Sequence, residues 1–270
     1  MTNPKEIIPG VIFYAYLSQE RKEKVGFLDH NMLVLQVAGQ LELETSEEKI
    51  SMRKGQMLLI GKNQLGQLTK TPLPDEGYET IVISLQEELL RKIVLEEGIN
   101  LQTKYRGNKN VLLPDNEFLK GYFQSIVPYV RNDSKVLTQA MGMLKVNEGV
   151  KLLIHTLPEL REFLFDFSEP YKIDLEKFML ANFHYNVPIE KFAQLTGRSL
   201  AGFKRDFQKA FGMPPRHWLQ EKRLDEARHL MMSKQKKPSA FYLDLGFESL
   251  SHFSHAFKKK FGISPTTVLA

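Results

Sequence analysis

Two short stretches near the carboxyl end carry the side chains best suited to chemistry. The first holds Ala201, Lys204, Arg205 and Gln208; the second holds Ser251, His252, Ser254 and His255, followed by Lys258 and Lys259. An arginine guanidinium is a planar fork of N–H donors that matches paired acceptors such as guanine O6 and N7, and a lysine ammonium reaches such an acceptor or a phosphate. Serine and histidine bond base edges singly, not bidentately, whereas consecutive lysines suit phosphates. The surrounding charge points the same way. Residues 171–270 carry +8 and residues 1–170 carry −3, within an overall +5, so a polyanion is the expected partner of the back part. The alternative is plain solvated surface charge, and the choice turns on whether regular elements present these residues together.

Other chemistries find little support. Cysteine is absent, which removes disulfides, thiolate metal sites, a cysteine nucleophile and thiol-based switching. His252 and His255 lie three residues apart but have no third ligand at metal spacing. Only His30 and His155 precede residue 171, too few for a clustered-histidine metal site in a β barrel. No G-x-S-x-G, phosphate-binding loop or dinucleotide fingerprint occurs. The expectation is therefore a protein that is not an enzyme, with no cofactor and no metal. No apolar run reaches the ~18 residues of a membrane span, and the opening MTNPKEIIPG has no signal-peptide hydrophobic segment. A cytoplasmic location with no membrane partner is expected.

An internal repeat supplies the elements that would position the polar residues. GRSLAGFKRDFQKAFGMPP (197–215) and FESLSHFSHAFKKKFGISP (247–265) align without gaps at an offset of fifty residues. Leu200, Phe203, Phe207 and Phe211 in one copy, and Leu250, Phe253, Phe257 and Phe261 in the other, mark one face of an amphipathic helix. Each helix is expected to begin at an N-capping serine, Ser199 or Ser249, and to end at Gly212 or Gly262. With the phenylalanines buried, the opposite faces show the two polar sets named above. The amino ends at Ser199 and Ser249 add backbone N–H groups that can meet phosphate. A shorter helix and a glycine-bearing turn are expected before each copy, at 189–197 and 240–246, which makes two helix-turn-helix units. Leu224, Ala227, Leu230 and Met231 in the connecting stretch 220–232 are placed to pack on both.

The front reads as β. Residues 11–18, 31–38, 41–45, 57–60 and 79–85 are short runs rich in β-branched and aromatic residues, separated by turn signals, as in a sandwich or small barrel. Helical patterns follow at 86–97, 114–130 and 133–157, the last broken by Pro158. The expected fold class is α+β: a cupin-like β-sandwich or barrel with appended helices, then an all-α domain with two helix-turn-helix units. The expected boundaries are 1–165 for a β-rich sensor or dimerisation domain, helical from about 115, with a linker at 166–170 and a DNA-binding domain at 171–270. Val136, Ala140, Met143, Asn147, Val150, Ile154 and Leu157 alternate spacings of four and three. That is a heptad seam with one central polar residue, suited to pairing two copies. Gly142 and Gly149 argue against it, and the same stripe would equally pack on the chain's own β domain.

The span from about 171 to 265 resembles the DNA-binding domain of AraC/XylS-type bacterial transcription regulators. The resemblance is carried by PIEKFAQLTGRSLAGFKRDFQKAFG, RLDEARHLM and GFESLSHFSHAFKKKFGISP, the last matching the family's most diagnostic signature. HNMLVLQVAGQLELET followed by MRKGQMLLIGK is similar to the family's cupin-like sensor domain, closest to the type III secretion activators, where this domain engages protein partners. The resemblance implies double-stranded DNA read by two recognition helices in successive major grooves. Ala201, Lys204, Arg205 and Gln208 match base- and phosphate-facing positions. It further implies control through the front domain by a small-molecule effector, or alternatively by a regulatory protein, with a homodimer and, for an activator, RNA polymerase as a partner. Three positions depart from the family: Tyr242 stands where a small residue is usual, His255 where an arginine is common, and no basic residue follows Pro265. The second unit is therefore expected to discriminate bases less than the first. Without cysteine, the alkyl-acceptor DNA repair proteins that carry a similar domain are excluded.

Overall fold

Alternation along three central strands sets the architecture of the front part. In a computed structural model of the chain, which describes residues 5–19, 21–99, 105–131, 138–168 and 171–268, contacts cluster into two units, Met1–Ser168 and Glu169–Ala270. Among the described residues the first unit pairs a six-stranded antiparallel sheet with a four-stranded one. The larger sheet has the order β1-β2-β9-β4-β7-β10 and the smaller β3-β8-β5-β6. The strands are β1 (Lys5–Ile8), β2 (Ile12–Leu17), β3 (Arg21–Leu28), β4 (Asn31–Ala38), β5 (Gln40–Glu44), β6 (Lys49–Arg53), β7 (Met57–Ile60), β8 (Gln64–Thr71), β9 (Tyr78–Leu85) and β10 (Asn110–Leu112).

The run MLLI in β7 is apolar throughout because both faces of the large sheet are covered. Met57 and Leu59 join a core shared with the helices, while Leu58 and Ile60 join a second core with Leu41, Leu43 and Met52 of the small sheet. The same period of two sends Leu33, Ile81 and Ile83 to the helical side and Val34 and Tyr78 between the sheets. The covering helices are α1 (Glu87–Glu97), α2 (Glu117–Arg131), α3 (Gln139–Thr156) and α4 (Leu160–Leu164). No helix among the described residues is long and apolar enough to cross a membrane.

The heptad seam expected on α3 is corrected by its surroundings. Val136 lies outside the described residues. Val150 and Ile154 are fully buried in this chain's own core, and Met143 and Leu157 pack half-buried against it. Val150 and Ile154 have no surface left for a second copy, and Met143 and Leu157 only part of theirs. Asn147 turns inward a buried Oδ1 without a hydrogen-bond partner, and only Ala140 of the described set is exposed. The two glycines decide which face packs. A Cβ at Gly142 would lie 2.6 Å from Ile8 Cγ2, and one at Gly149 would lie 2.7 Å from Tyr122 Oη. Glycine lets α3 close onto β1 and α2, and Tyr122 Oη then donates to the Lys145 carbonyl at 2.8 Å. A spacing of three and four marks an amphipathic helix of either kind; the glycines distinguish the intramolecular one.

The second unit is helical: α5 (Leu175–Asn182), α6 (Ile189–Leu195), α7 (Leu200–Phe211), α8 (Pro215–Lys234), α9 (Leu250–Phe261) and α10 (Pro265–Val268). Gly149→Ala is expected to destabilise the front unit by about 1–3 kcal/mol, because the clash with Tyr122 outweighs the ~1 kcal/mol of helix propensity that alanine adds. Urea unfolding followed by tyrosine fluorescence measures this; equal or greater stability would contradict the close α2–α3 approach.

Candidate nucleic-acid interface

The two repeat copies fold alike at both ends. In α7 the Gly202 N–H donates to Ser199 Oγ at 3.2 Å, and in α9 the His252 N–H donates to Ser249 Oγ at 3.1 Å. Each helix stops at a left-handed glycine, Gly212 or Gly262, whose N–H returns to the carbonyl of Gln208 or Lys258. Phe203, Phe207, Phe253 and Phe257 are fully buried. Their burial fixes the rotation of each helix about its axis, and so decides which side chains face outward.

The outward set matches the sequence expectation closely. Ser199, Ala201, Lys204, Arg205 and Gln208 are exposed on the first helix, with Arg205 82% exposed. On the second, Ser249, Ser251, His252, His255, Lys258 and Lys259 are exposed, while Ser254 is half-buried. The His252 ring leans edge-on against Phe247, with centroids 5.8 Å apart. Both serine hydroxyls at the amino ends are occupied as caps, so these ends offer backbone N–H groups and not free hydroxyls.

Helix α8 holds both faces. Trp218 packs on Phe207 and Phe211 with ring centroids 5.6 and 4.5 Å away, while Leu224, Ala227 and Met231 share a core with Phe253, Ala256 and Phe257. Arg223 sits between. It donates from Nε to the Phe183 carbonyl at 2.8 Å, from Nη2 to Tyr185 at 2.8 Å and from Nη1 to Gly246 at 3.3 Å. It thereby joins the turn before α6 to the turn before α9. Burial pulls its pKa down to about 10, which still leaves it charged at neutral pH. Gly246 has φ +81°, and a Cβ there would lie 2.6 Å from the His184 carbonyl oxygen and 2.9 Å from Arg223 Cζ; only glycine lets the guanidinium in.

Two expectations need correction. The short helix expected at 240–246 is a 3-10 turn, Pro238–Ala240, followed by irregular turns. Tyr242 lies half-buried against the local core. The lysine run is also divided. Lys260 is turned inward to pair with Glu221 at 2.8 Å and Asp225 at 2.7 Å on α8, so it holds α9 in place and is not a free cation. Sequence reasoning missed Arg223, which stands unmarked in a mixed-charge stretch. It also missed a cluster at the start of α7 in which Arg198 and Lys172 each lie 3.1 Å from Asp206 Oδ2. The signal available for the latter was a single acidic residue inside an otherwise basic helix.

Comparison with known proteins follows the same division. A family model described as a helix-turn-helix domain matches residues 192–270, and one described as the ExsA N-terminal regulatory domain matches residues 31–164. The virulence regulon transcriptional activator VirF of Yersinia enterocolitica is 32% identical over 92 residues, 34% of either chain. The HTH-type transcriptional regulator ExsA of Pseudomonas aeruginosa is 26% identical over 128 residues, 47% of this chain and 46% of that one. The matched stretch thus spans about a third to a half of these relatives. A crystal structure of ToxT from Vibrio cholerae aligns over 96% of both chains at 15% identity with a TM-score of 0.45.

Arg223→Met is expected to leave the carbonyls of Phe183, Tyr185 and Gly246 unsatisfied and to destabilise the helical unit by about 2–5 kcal/mol. Thermal unfolding monitored by Trp218 fluorescence reads this directly. A loss under ~0.5 kcal/mol would show that Arg223 is not the joint between the two helix-turn-helix units.

Proposed function

The chain belongs to the AraC-type helix-turn-helix transcriptional regulators, and on that premise we propose that it binds double-stranded DNA by laying α7 and α9 in successive major grooves. The observation that carries this reading is the pair of like-capped helices, each burying its phenylalanines and exposing a polar face. Arg205 is the residue to fork onto guanine, with Lys204 and Gln208 beside it. Lys258 and Lys259 meet phosphates, and Ser251, His252 and His255 make single contacts to base edges or backbone. The first helix supplies most of the discrimination and the second mostly affinity. Because one chain carries both helices, a two-groove site needs no second copy.

The front unit is the regulatory part in this reading. Several polar groups inside it bond to one another or to the backbone. Thr80 Oγ1 donates to Gln36 Oε1 at 2.8 Å, Gln36 Nε2 donates to the Ala38 carbonyl at 2.6 Å, and Gln64 and Asn110 exchange bonds of 2.9 and 3.0 Å. Leu43, Met52, Leu58 and Tyr78 are fully buried beside them. The bonding of these polar groups to one another and to the backbone favours control by a regulatory protein on the outside of this unit over a small molecule within it. Saturable heat on titration with a metabolite panel would overturn that preference.

DNA affinity is expected to fall steeply with salt, log K declining by about 0.9 per phosphate neutralised for each unit of log salt. Arg205→Ala should cost about 1–3 kcal/mol and relax preference at one base pair, whereas Lys259→Ala should weaken all sequences alike and lower the salt slope by about 1. Fluorescence anisotropy across a salt series checks both. A curve flat in salt, or a uniform loss from Arg205→Ala, would contradict the assignment.

A further inference from the structure

One carboxylate stands among the cations of α7. Asp206 is the sole acidic residue of that helix, LAGFKRDFQKAF, and beside a phosphate backbone its charge opposes binding. Its Oδ2 is gripped from two sides, by Arg198 Nε at 3.1 Å and by Lys172 Nζ at 3.1 Å. Arg198 is itself locked in the turn before α7, donating to the Ile173 carbonyl at 3.0 Å and to the Thr196 carbonyl at 2.6 Å. These partners, Lys172 first and then Arg198, hold the Asp206 carboxyl below the usual carboxylate range. Its other oxygen, Oδ1, faces the neighbouring residue and lies 3.7 Å from Arg205 Nε, an ion-pair distance longer than a hydrogen bond.

The repeat shows that the fold does not require this cluster. Fifty residues on, Ala256 stands for Asp206, Glu248 for Arg198 and His255 for Arg205. Ala256 is buried, and α9 forms with the same cap, stripe and glycine stop as α7. The second copy thus lacks the carboxylate, its grip and the guanidinium together.

Resting on the reading that α7 contacts DNA, we propose that Asp206 is a positioning residue that orients the Arg205 guanidinium for a single base pair. An arginine that is otherwise free in solvent loses rotamer freedom when it forks onto a base, and a fixed anion at its Nε side removes part of that loss in advance. The Nη1–Nη2 edge is left to meet O6 and N7 of guanine. The same negative charge weakens binding wherever the fork finds no matching base, because it then opposes the phosphates without compensation. Asp206 therefore favours discrimination over general affinity. Arg198 and Lys172 act through it, by fixing where the carboxylate points.

The test uses the full chain, the duplex recovered by selection from random sequences, its single-base-pair variants, and a random-sequence duplex as the non-specific probe. Asp206→Asn is expected to reduce discrimination at the Arg205 base pair by roughly three- to tenfold while leaving the other positions unchanged. Binding to the random duplex should stay level or tighten, and the unfolding midpoint should hold. Asp206→Glu should recover most of the discrimination, and Lys172→Gln, which leaves the carboxylate in place, should lose a smaller part at the same base pair. Arg205→Ala is the control that separates the two levels of the argument. If it leaves every base pair unaffected, the reading of α7 fails and this inference falls with it. If Arg205→Ala flattens one base pair while Asp206→Asn does not, the positioning role alone is overturned. Equal weakening on all duplexes, together with a lowered unfolding midpoint, would likewise reduce Asp206 to a structural residue.

Discussion

The helical unit depends on one buried cation. Arg223 gives up much of its hydration, which is what lowers its pKa, and in return donates to three carbonyl oxygens from two separate turns. Charge-assisted bonds of this kind are about twice as strong as neutral ones, which offsets the desolvation. One turn leads into α6 and hence α7, and the other leads into α9. The Asn186 side chain, donating to Glu248 Oε1 at 3.4 Å, lies across the same junction. Lys260 on Glu221 and Asp225 closes the other end of α9 against α8. The separation of the two exposed faces is thus set by polar contacts that tolerate little sliding, and not by apolar packing alone.

That constraint explains why chemically unequal helices have equal scaffolding. Caps, phenylalanine stripe and glycine stop are shared, whereas the outward residues diverge: Lys204, Arg205 and Asp206 on one helix, Ser254, His255 and Ala256 on the other. Lys260 shows the cost of the shared scaffold, since a cation that would suit phosphate is used to hold its own helix. Two readers fixed at one separation can differ in task, one choosing the site and the other adding affinity from the next groove.

Much of this was legible in the sequence because a repeat tests its own reading. Ser199 and Ser249, the four buried phenylalanines and the exposed polar faces are fixed by helical period, and two copies make coincidence improbable. The strands at 31–38 and 57–60 were equally plain, being apolar or β-branched except at Asn31 and Gln36. The charged β3, RKEKVGFL, and the polar β8, QLGQLTKT, gave no such signal, since β3 is an edge strand and both pair through backbone groups that any sequence supplies. The α3 stripe misled because a heptad and a core-facing helix share their spacing; what separates them is the identity of the neighbours at Gly142 and Gly149. Arg223 and Lys260 were hidden for a related reason. A charged side chain, whether in the mixed-charge α8 or in the lysine run of α9, reads as solvated until the carbonyls or carboxylates that receive it are known.

Helix α8, through Arg223 and the carboxylates that hold Lys260, fixes the separation of α7 and α9. Binding should therefore be measured on duplexes whose two half-sites are moved apart by inserted base pairs. A rigid joint predicts one sharp optimum near ~10 base pairs centre to centre, with affinity falling on a five-base-pair insertion that turns one groove to the far side of the duplex. Affinity that is level across these spacings would show that the two helices move independently, and would contradict the account.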